Sequence, residues 1–145
     1  MEGTDQHILQ LLSRDGRMSY TDIGRETGLS TSAAQQRVRR LEQRGVITGY
    51  RAVLDAEELG MMLTAFVELR ALDPTTDEEI PERISDLSGV VSCYSVAGKA
   101  SHLLKVQAAS PQDLETLLSQ IRQNAQVSTQ TTLVLSVPFA DRPLV

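Results

Sequence analysis

Residues 19–44 read SYTDIGRETGLSTSAAQQRVRRLEQR, two short amphipathic patterns joined at Gly28, with four arginines crowded onto the second. Ser19 followed three residues later by Asp22 has the form of a capping box with an acid in the glutamate position, so a helix is predicted from about Tyr20 to Thr27, ended by Gly28. Ser30 supplies an N-cap for the next helix, in which Ala34, Val38 and Leu41 fall at i, i+4 and i+7 and form a narrow apolar stripe. Gly24 and Ala34 are small where the two helices would cross. A pair of this kind is a helix-turn-helix, the unit that lays its second helix in the major groove of duplex DNA.

At about 100° per residue, Ser32, Gln36, Arg39 and Gln43 lie opposite the stripe, with Ala33, Gln35 and Arg40 on its shoulders. Amides and hydroxyls early in a recognition helix offer donors and acceptors to base edges, whereas arginines further along reach phosphates. Ser32, Gln35 and Gln36 are therefore expected at bases, and Arg39 and Arg40 at the DNA backbone. Arg37 lies about 60° to one side of the stripe and is assigned to the same DNA-binding set, facing either a phosphate or an intramolecular acid. A charged helix face is also what plain solvation produces; the caps, turn and stripe at this spacing are what favour DNA.

The overall charge of −5 argues against nucleic acid only if it is spread evenly, and it is not. Residues 1–50 hold seven Arg against six acids, residues 51–145 seven basic against thirteen acidic residues, and residues 31–44 four Arg against one Glu. The basic patch is local and small, so a dimer presenting two copies to half-sites about 34 Å apart is expected.

Outward from the helix-turn-helix, residues 4–13 carry Ile8, Leu9 and Leu12 at helical spacing, which predicts a bracing first helix stopped by Asp15 and Gly16. After Gly45, VITGYRAVLD turns to period two and predicts a short extended arm or wing, leading to a hinge before Gly60. A strand in MLTAFVELRAL, a helix in DPTTDEEIPERISDL, strands in VVSCYSVAG and SHLLKVQAA joined near Gly98, a helix in SPQDLETLLSQIRQN and a strand in TQTTLVLSVPF follow. The order β-α-β-β-α-β is that of a ferredoxin-like split βαβ sandwich with both helices on one face of an antiparallel sheet. The expected class is thus α+β: a three-helix DNA-binding domain at 1–48, an extended hinge at 49–60 and a ferredoxin-like effector and oligomerisation domain at 61–145. The sheet face without helices still carries uncharged residues, and a second copy of the chain is the economical cover.

The chain starts with no basic leader and no apolar run, it holds one cysteine, and no membrane partner is expected, which together suit a reducing cytoplasm. Cys93, in VVSCYSV, reads as a small buried hydrophobe. His7 and His102 join no cluster with metal-ligand spacing, and there is no nucleophile elbow or phosphate loop, so no catalytic residue, metal or cofactor is expected.

The words Asp5-Gln-His-Ile8-Leu9, Asp15-Gly16-Arg17, Gly28-Leu29-Ser30, Arg37-Val-Arg-Arg-Leu41-Glu42 and Gly45-Val-Ile47-Thr-Gly49-Tyr50, ahead of a βαββαβ unit, resemble the Lrp/AsnC family of feast/famine transcription regulators over almost the whole chain. The resemblance implies a C-terminal domain that dimerises through its sheets. It further implies dimers assembling into tetramers, octamers or higher rings, and an amino acid bound between dimers that alters assembly and promoter occupancy. It places the effector pocket at the turn between the two middle strands, here Gly98, Lys99, Ala100, Ser101 and His102, with hydroxyls of the last strand, here Thr129, Thr131 and Thr132.

The family's Gly-x-x-Asp acid, which would meet a ligand's ammonium, is replaced by Ser101, and the aromatic often found after it by His102. A charge-assisted hydrogen bond is worth about 1.5–3 kcal/mol and a neutral one about 0.5–1.5, so affinity for a free amino acid is expected to fall about tenfold or to shift to a related ligand. Lys99 favours the ligand's carboxylate.

The reading is therefore a sequence-specific regulator that binds pseudo-palindromic double-stranded promoter DNA and is tuned by an amino acid or related small effector. Two alternatives stay open: an oligomeric small-molecule sensor or enzyme whose N-terminal helices bind a protein partner, and a DNA-compacting protein of low sequence specificity.

Overall fold

The computed structural model describes residues Met1–Val145. The chain divides into two units, one of Met1–Val53 with Phe139–Val145 and one of Leu54–Pro138.

The first unit is built on three helices, α1 (Gly3–Arg14), α2 (Tyr20–Thr27) and α3 (Thr31–Gln43). Local chemistry sets their ends. The Ser19 hydroxyl accepts from the Asp22 amide at 3.0 Å and the Ser30 hydroxyl from the Ala33 amide at 3.1 Å, each satisfying one of the free donors of a helix start. Gly28 closes α2 at φ 77°, where a side chain would be strained, and so lets the chain turn at once into α3. Ile8, Ile23, Ala34, Val38 and Leu41 form the buried core, so the stripe read from the sequence is the face of α3 that packs.

After α3 the chain makes no strand. Residues 46–55, expected as a short extended arm or wing, join no strand ladder, and a turn follows at 56–60. Their period-two pattern has no partner edge within the chain, and an isolated extended segment gains no ladder hydrogen bonds.

The second unit is a four-stranded antiparallel sheet of β1 (Leu63–Ala71), β2 (Val90–Ser95), β3 (His102–Ala108) and β4 (Val127–Leu133) in the order β2-β3-β1-β4. Two helices, α4 (Ile80–Ile84) and α5 (Pro111–Ala125), complete the β-α-β-β-α-β order. The core lies between the helices and one sheet face: Ala65, Val67, Leu69, Leu104, Val106 and Val127 from the strands, Ile80, Ile84, Leu117, Ile121 and Ala125 from the helices.

Two element boundaries differ from the sequence reading. Residues 73–87 do not form one helix: Pro74–Glu79 is a 3-10 turn, and only Ile80–Ile84 is α-helical. Asp73 pins the start, accepting from the Thr75 amide at 3.0 Å and the Thr75 hydroxyl at 2.8 Å. Pro81 has no N–H to offer the Asp77 carbonyl and is tolerated only in a first turn, so the α-helix begins afresh beside it. The last strand runs over Val127–Leu133 rather than 129–139, because Gln126 at φ 53° reverses the chain straight out of α5 and the pairing with β1 runs out at Ala65–Leu133, near the start of β1.

Directly paired residues share a sheet face, so register sorts the open side. It carries Ser92, Lys105, Phe66 and Thr132 in one row and Tyr94, Leu103, Glu68 and Gln130 in the next. Phe66 and Tyr94 are exposed and Leu103 half-buried.

Candidate nucleic-acid interface and effector turn

The outward side of α3 holds Ser32, Gln36, Arg39 and Arg40, all exposed, with Gln35 half-buried beside them. The Ser32 hydroxyl lies 3.3 Å from that of Ser30 at the helix start. Neither Arg39 nor Arg40 makes an intramolecular ion pair, so both guanidinium groups are free to meet an anion.

Arg37 is different. Its Nη1 lies 3.2 Å from Asp5 Oδ1 and 3.1 Å from Glu2 Oε2, and its Nη2 donates to Glu2 Oε1 at 3.3 Å. Of the two partners open to it in the sequence, an intramolecular acid is the one it meets. The hydrogen bonds from Arg37 to Glu2 and Asp5 push its pKa up further, and the group is charged at any working pH.

At the other end of α3, the Tyr50 hydroxyl donates to Glu42 Oε1 at 3.2 Å, and its ring lies close over Gly16. Burial, then the Glu42 charge, pushes the Tyr50 pKa up to about 12, so the phenol stays protonated as a donor. Tyr50 closes one of the sequence words that carry the family resemblance, but its contact with Glu42 is not legible there.

In the second unit the turn between β2 and β3 is closed by the Val96 amide donating to Ser101 O at 2.9 Å and the Ser101 amide to Leu69 O at 3.1 Å. Gly98 and Lys99 are exposed, whereas Ala100 and His102 are buried. The Ser101 hydroxyl is turned inward, 3.1 Å from His102 Nδ1 and 3.4 Å from Leu69 O. Leu69 pairs with both His102 and Thr129, which puts Thr129 in the same row on the helix-covered face, where its hydroxyl accepts from Arg122 at 3.2 Å. Thr131 lies one row along that face, opposite Val67, and Thr132 is on the open face opposite Phe66. The three threonines are thus not brought together, since β4 alternates sides along its length.

Cys93 is exposed, not the buried hydrophobe expected. It pairs with Leu104 and points to the helix side, but β2 is an edge strand and the helices pack over β1, β3 and β4. Partial burial still pushes its thiol pKa up, away from a reactive thiolate. No three His, Cys, Asp or Glu side chains converge as a metal site, and no helix is long and apolar enough to cross a membrane.

Residues 1–42 match the AsnC-type helix-turn-helix domain and residues 64–144 the Lrp/AsnC ligand binding domain. The chain is 42% identical over 142 residues to the HTH-type transcriptional regulator LrpA of Mycobacterium tuberculosis, covering 98% of this chain and 95% of that protein. It is 34% identical to a proline dehydrogenase transcriptional activator of Rhizobium radiobacter, over 90% of this chain and 86% of the relative. Among solved structures, a feast or famine regulatory protein from M. tuberculosis complexed with L-methionine superposes with a TM-score of 0.93 at 42% identity, over 97% of this chain and 96% of that one. These relatives are regulators of transcription and not enzymes. With a capped helix-turn-helix ahead of a βαββαβ sheet, and both matched across nearly its full length, the chain belongs to the Lrp/AsnC family of transcription regulators.

Proposed function

We propose that this regulator acts as a dimer that lays two copies of α3 into successive major grooves of a pseudo-palindromic promoter site, in the cytoplasm. Ser32, Gln35 and Gln36 read bases; Arg39 and Arg40 neutralise phosphates. The observation that carries the reading is the pair of unpaired, exposed arginines behind a capped N-terminus that presents only hydroxyls and amides. The open sheet face, with Phe66 and Leu103 on its two central strands and Tyr94 on the edge strand beside Leu103, is the dimer seam that brings the two heads together.

Arg39→Ala and Arg40→Ala are each expected to weaken binding to all duplexes and to reduce the slope of log affinity against log salt by about 0.9 per protomer, measured by fluorescence anisotropy across a salt series. Unchanged affinity and slope in both variants removes these residues from the interface.

The small effector is an amino acid or a close relative, held at the turn from Gly98 to His102, and binding shifts dimers toward tetramers, octamers or rings. The backbone groups of the turn and Lys99 meet the carboxylate, while Thr129, in the row of His102, is nearer to it than Thr131 or Thr132. Because Ser101, its hydroxyl turned inward onto His102, offers the ammonium no charged partner, Ser101→Asp is expected to raise amino-acid affinity about tenfold. Analytical ultracentrifugation of wild type and variant against the twenty amino acids tests this: a wild-type assembly that shifts only at high concentration, and a variant that shifts at lower concentration, is the expected outcome. A variant that responds no better than wild type refutes the role given to the turn.

A further inference from the structure

We infer that Arg37 is a positioning residue, which together with Asp5 and Glu2 fixes the rotation and height of the recognition helix α3 on α1 and is itself withheld from DNA. The inference rests on α3 being the helix that reads the duplex.

Asp5 and His102 are the two buried polar side chains of the protein. A carboxylate at 7% exposure is costly without a partner, and the cation it meets is Arg37, 32 residues away in the chain. Glu2, immediately before α1, holds the other side of the same guanidinium through two contacts of 3.1 and 3.3 Å. Both acids lie at the positive end of the α1 dipole, which stabilises them whether or not Arg37 is there.

Two consequences follow from the charges and the geometry. The cluster of two carboxylates and one guanidinium is net negative, so a phosphate approaching Arg37 meets repulsion, whereas Arg39 and Arg40 carry no such neighbours. The remaining packing in the unit's core is apolar, Ile8, Ile23, Ala34, Val38 and Leu41 with partly buried hydrophobics around them, and apolar burial is non-directional. A planar fork clamped by two carboxylates is directional, and it supplies the constraint that packing lacks. Base contacts tolerate only a few tenths of an ångström, so a small slip of α3 removes discrimination before it removes phosphate attraction.

The test uses full-length protein, a duplex selected by the wild type from a randomised library, and a random-sequence duplex of equal length. Asp5→Asn removes one negative charge from the DNA-binding unit, so general electrostatics would tighten binding to both duplexes. The expected result is the reverse for the selected one: its affinity falls several-fold, affinity for the random duplex holds or rises, and the salt slope is that of wild type. Arg37→Gln is expected to lower the ratio of selected to random affinity about tenfold, again with the slope unchanged. Circular dichroism sets a temperature at which the variants are folded. If Arg37→Gln unfolds because it orphans Asp5, the neutral double variant carrying Asp5→Asn and Arg37→Gln leaves no buried charge and is expected to show the same loss of ratio.

If Arg37 is instead a phosphate contact masked by its acids, Arg37→Gln flattens the slope by about 0.9 per protomer and Asp5→Asn tightens both duplexes, which overturns the inference. A wild-type ratio in the double variant overturns it as well. A wild-type protein with no preference for its selected duplex overturns the reading of α3 and this inference with it.

Discussion

Gly24→Ala is expected to unfold the helix-turn-helix at physiological temperature and to abolish specific DNA binding. A Cβ at residue 24 would stand 2.5 Å from the Leu29 carbonyl oxygen and 3.4 Å from the carbonyl carbons of Leu29 and Ser30, all of them main chain. No rotamer relieves a clash with backbone, so α2 and the turn must part. They are tied to each other, because the Leu29 amide donates to Gly24 O at 2.9 Å, and parting strains that bond. Overpacking of a tight site costs about 1–3 kcal/mol, and a weakened hydrogen bond about 0.5–1.5 more. The unit's buried core is Ile8, Ile23, Ala34, Val38 and Leu41, flanked by partly buried Leu9, Leu12, Met18, Tyr20, Leu29 and Ile47, a small core on which such a loss weighs heavily. Thermal unfolding followed at 222 nm and anisotropy with labelled duplex check the result. Gly49→Ala, at a position where an added Cβ meets nothing within 4 Å, serves as the control and is expected to keep wild-type behaviour. Wild-type melting and affinity in Gly24→Ala would mean that α3 can shift outward without loss.

Phe66→Glu is expected to convert the assembly to monomers and to cost most of the affinity for a two-half-site duplex while leaving the fold intact. Phe66 sits mid-strand on the open face of β1, directly opposite Lys105 of β3. In an isolated protomer a glutamate there faces a lysine across the strand pair, which is tolerated or mildly favourable. In a face-to-face dimer the same carboxylate and Lys105 are taken out of water together beside Leu103, and desolvating the added charge costs several kcal/mol, which the attraction of the pair offsets only in part. The two DNA-reading heads then bind separately, and the gain from joining them, typically 10²–10⁴ in affinity, is lost. Sedimentation velocity reads the assembly, and circular dichroism confirms that the sheet persists. A variant that still sediments as a dimer moves the seam elsewhere on the protein.

Much of the fold was legible because it is written locally. Ser19, Ser30 and Ser110 each bond an amide three residues on, Gly28 takes a conformation that glycine favours, and Ala34, Val38 and Leu41 share a face at helical spacing. Such features depend on the helical repeat and on groups within one turn, which the sequence displays directly. The order of strands and helices is equally local in origin, and with right-handed connections it restricts the sheet to a few topologies.

The candidate site was legible only in part. That Ser32, Gln36, Arg39 and Arg40 face outward follows from the wheel. The partner of Arg37 does not, since Glu2 and Asp5 lie 35 and 32 residues away and the wheel left two choices. The exposure of Cys93 and the separation of Thr129 and Thr131 from Thr132 were likewise invisible: each depends on which strand is an edge and how β4 is registered against β1.

The sequence by itself determined the two-part architecture, the helix-turn-helix with the exposed face of its second helix, and the family, because periodicity, capping and word order are properties of neighbours along the chain. Only the tertiary structure decided that Arg37 meets Glu2 and Asp5, that the Ser101 hydroxyl turns inward onto His102, and which side chains line the open sheet face. Those outcomes are set by contacts between segments far apart in sequence, where many pairings satisfy the same local pattern and packing and desolvation select one.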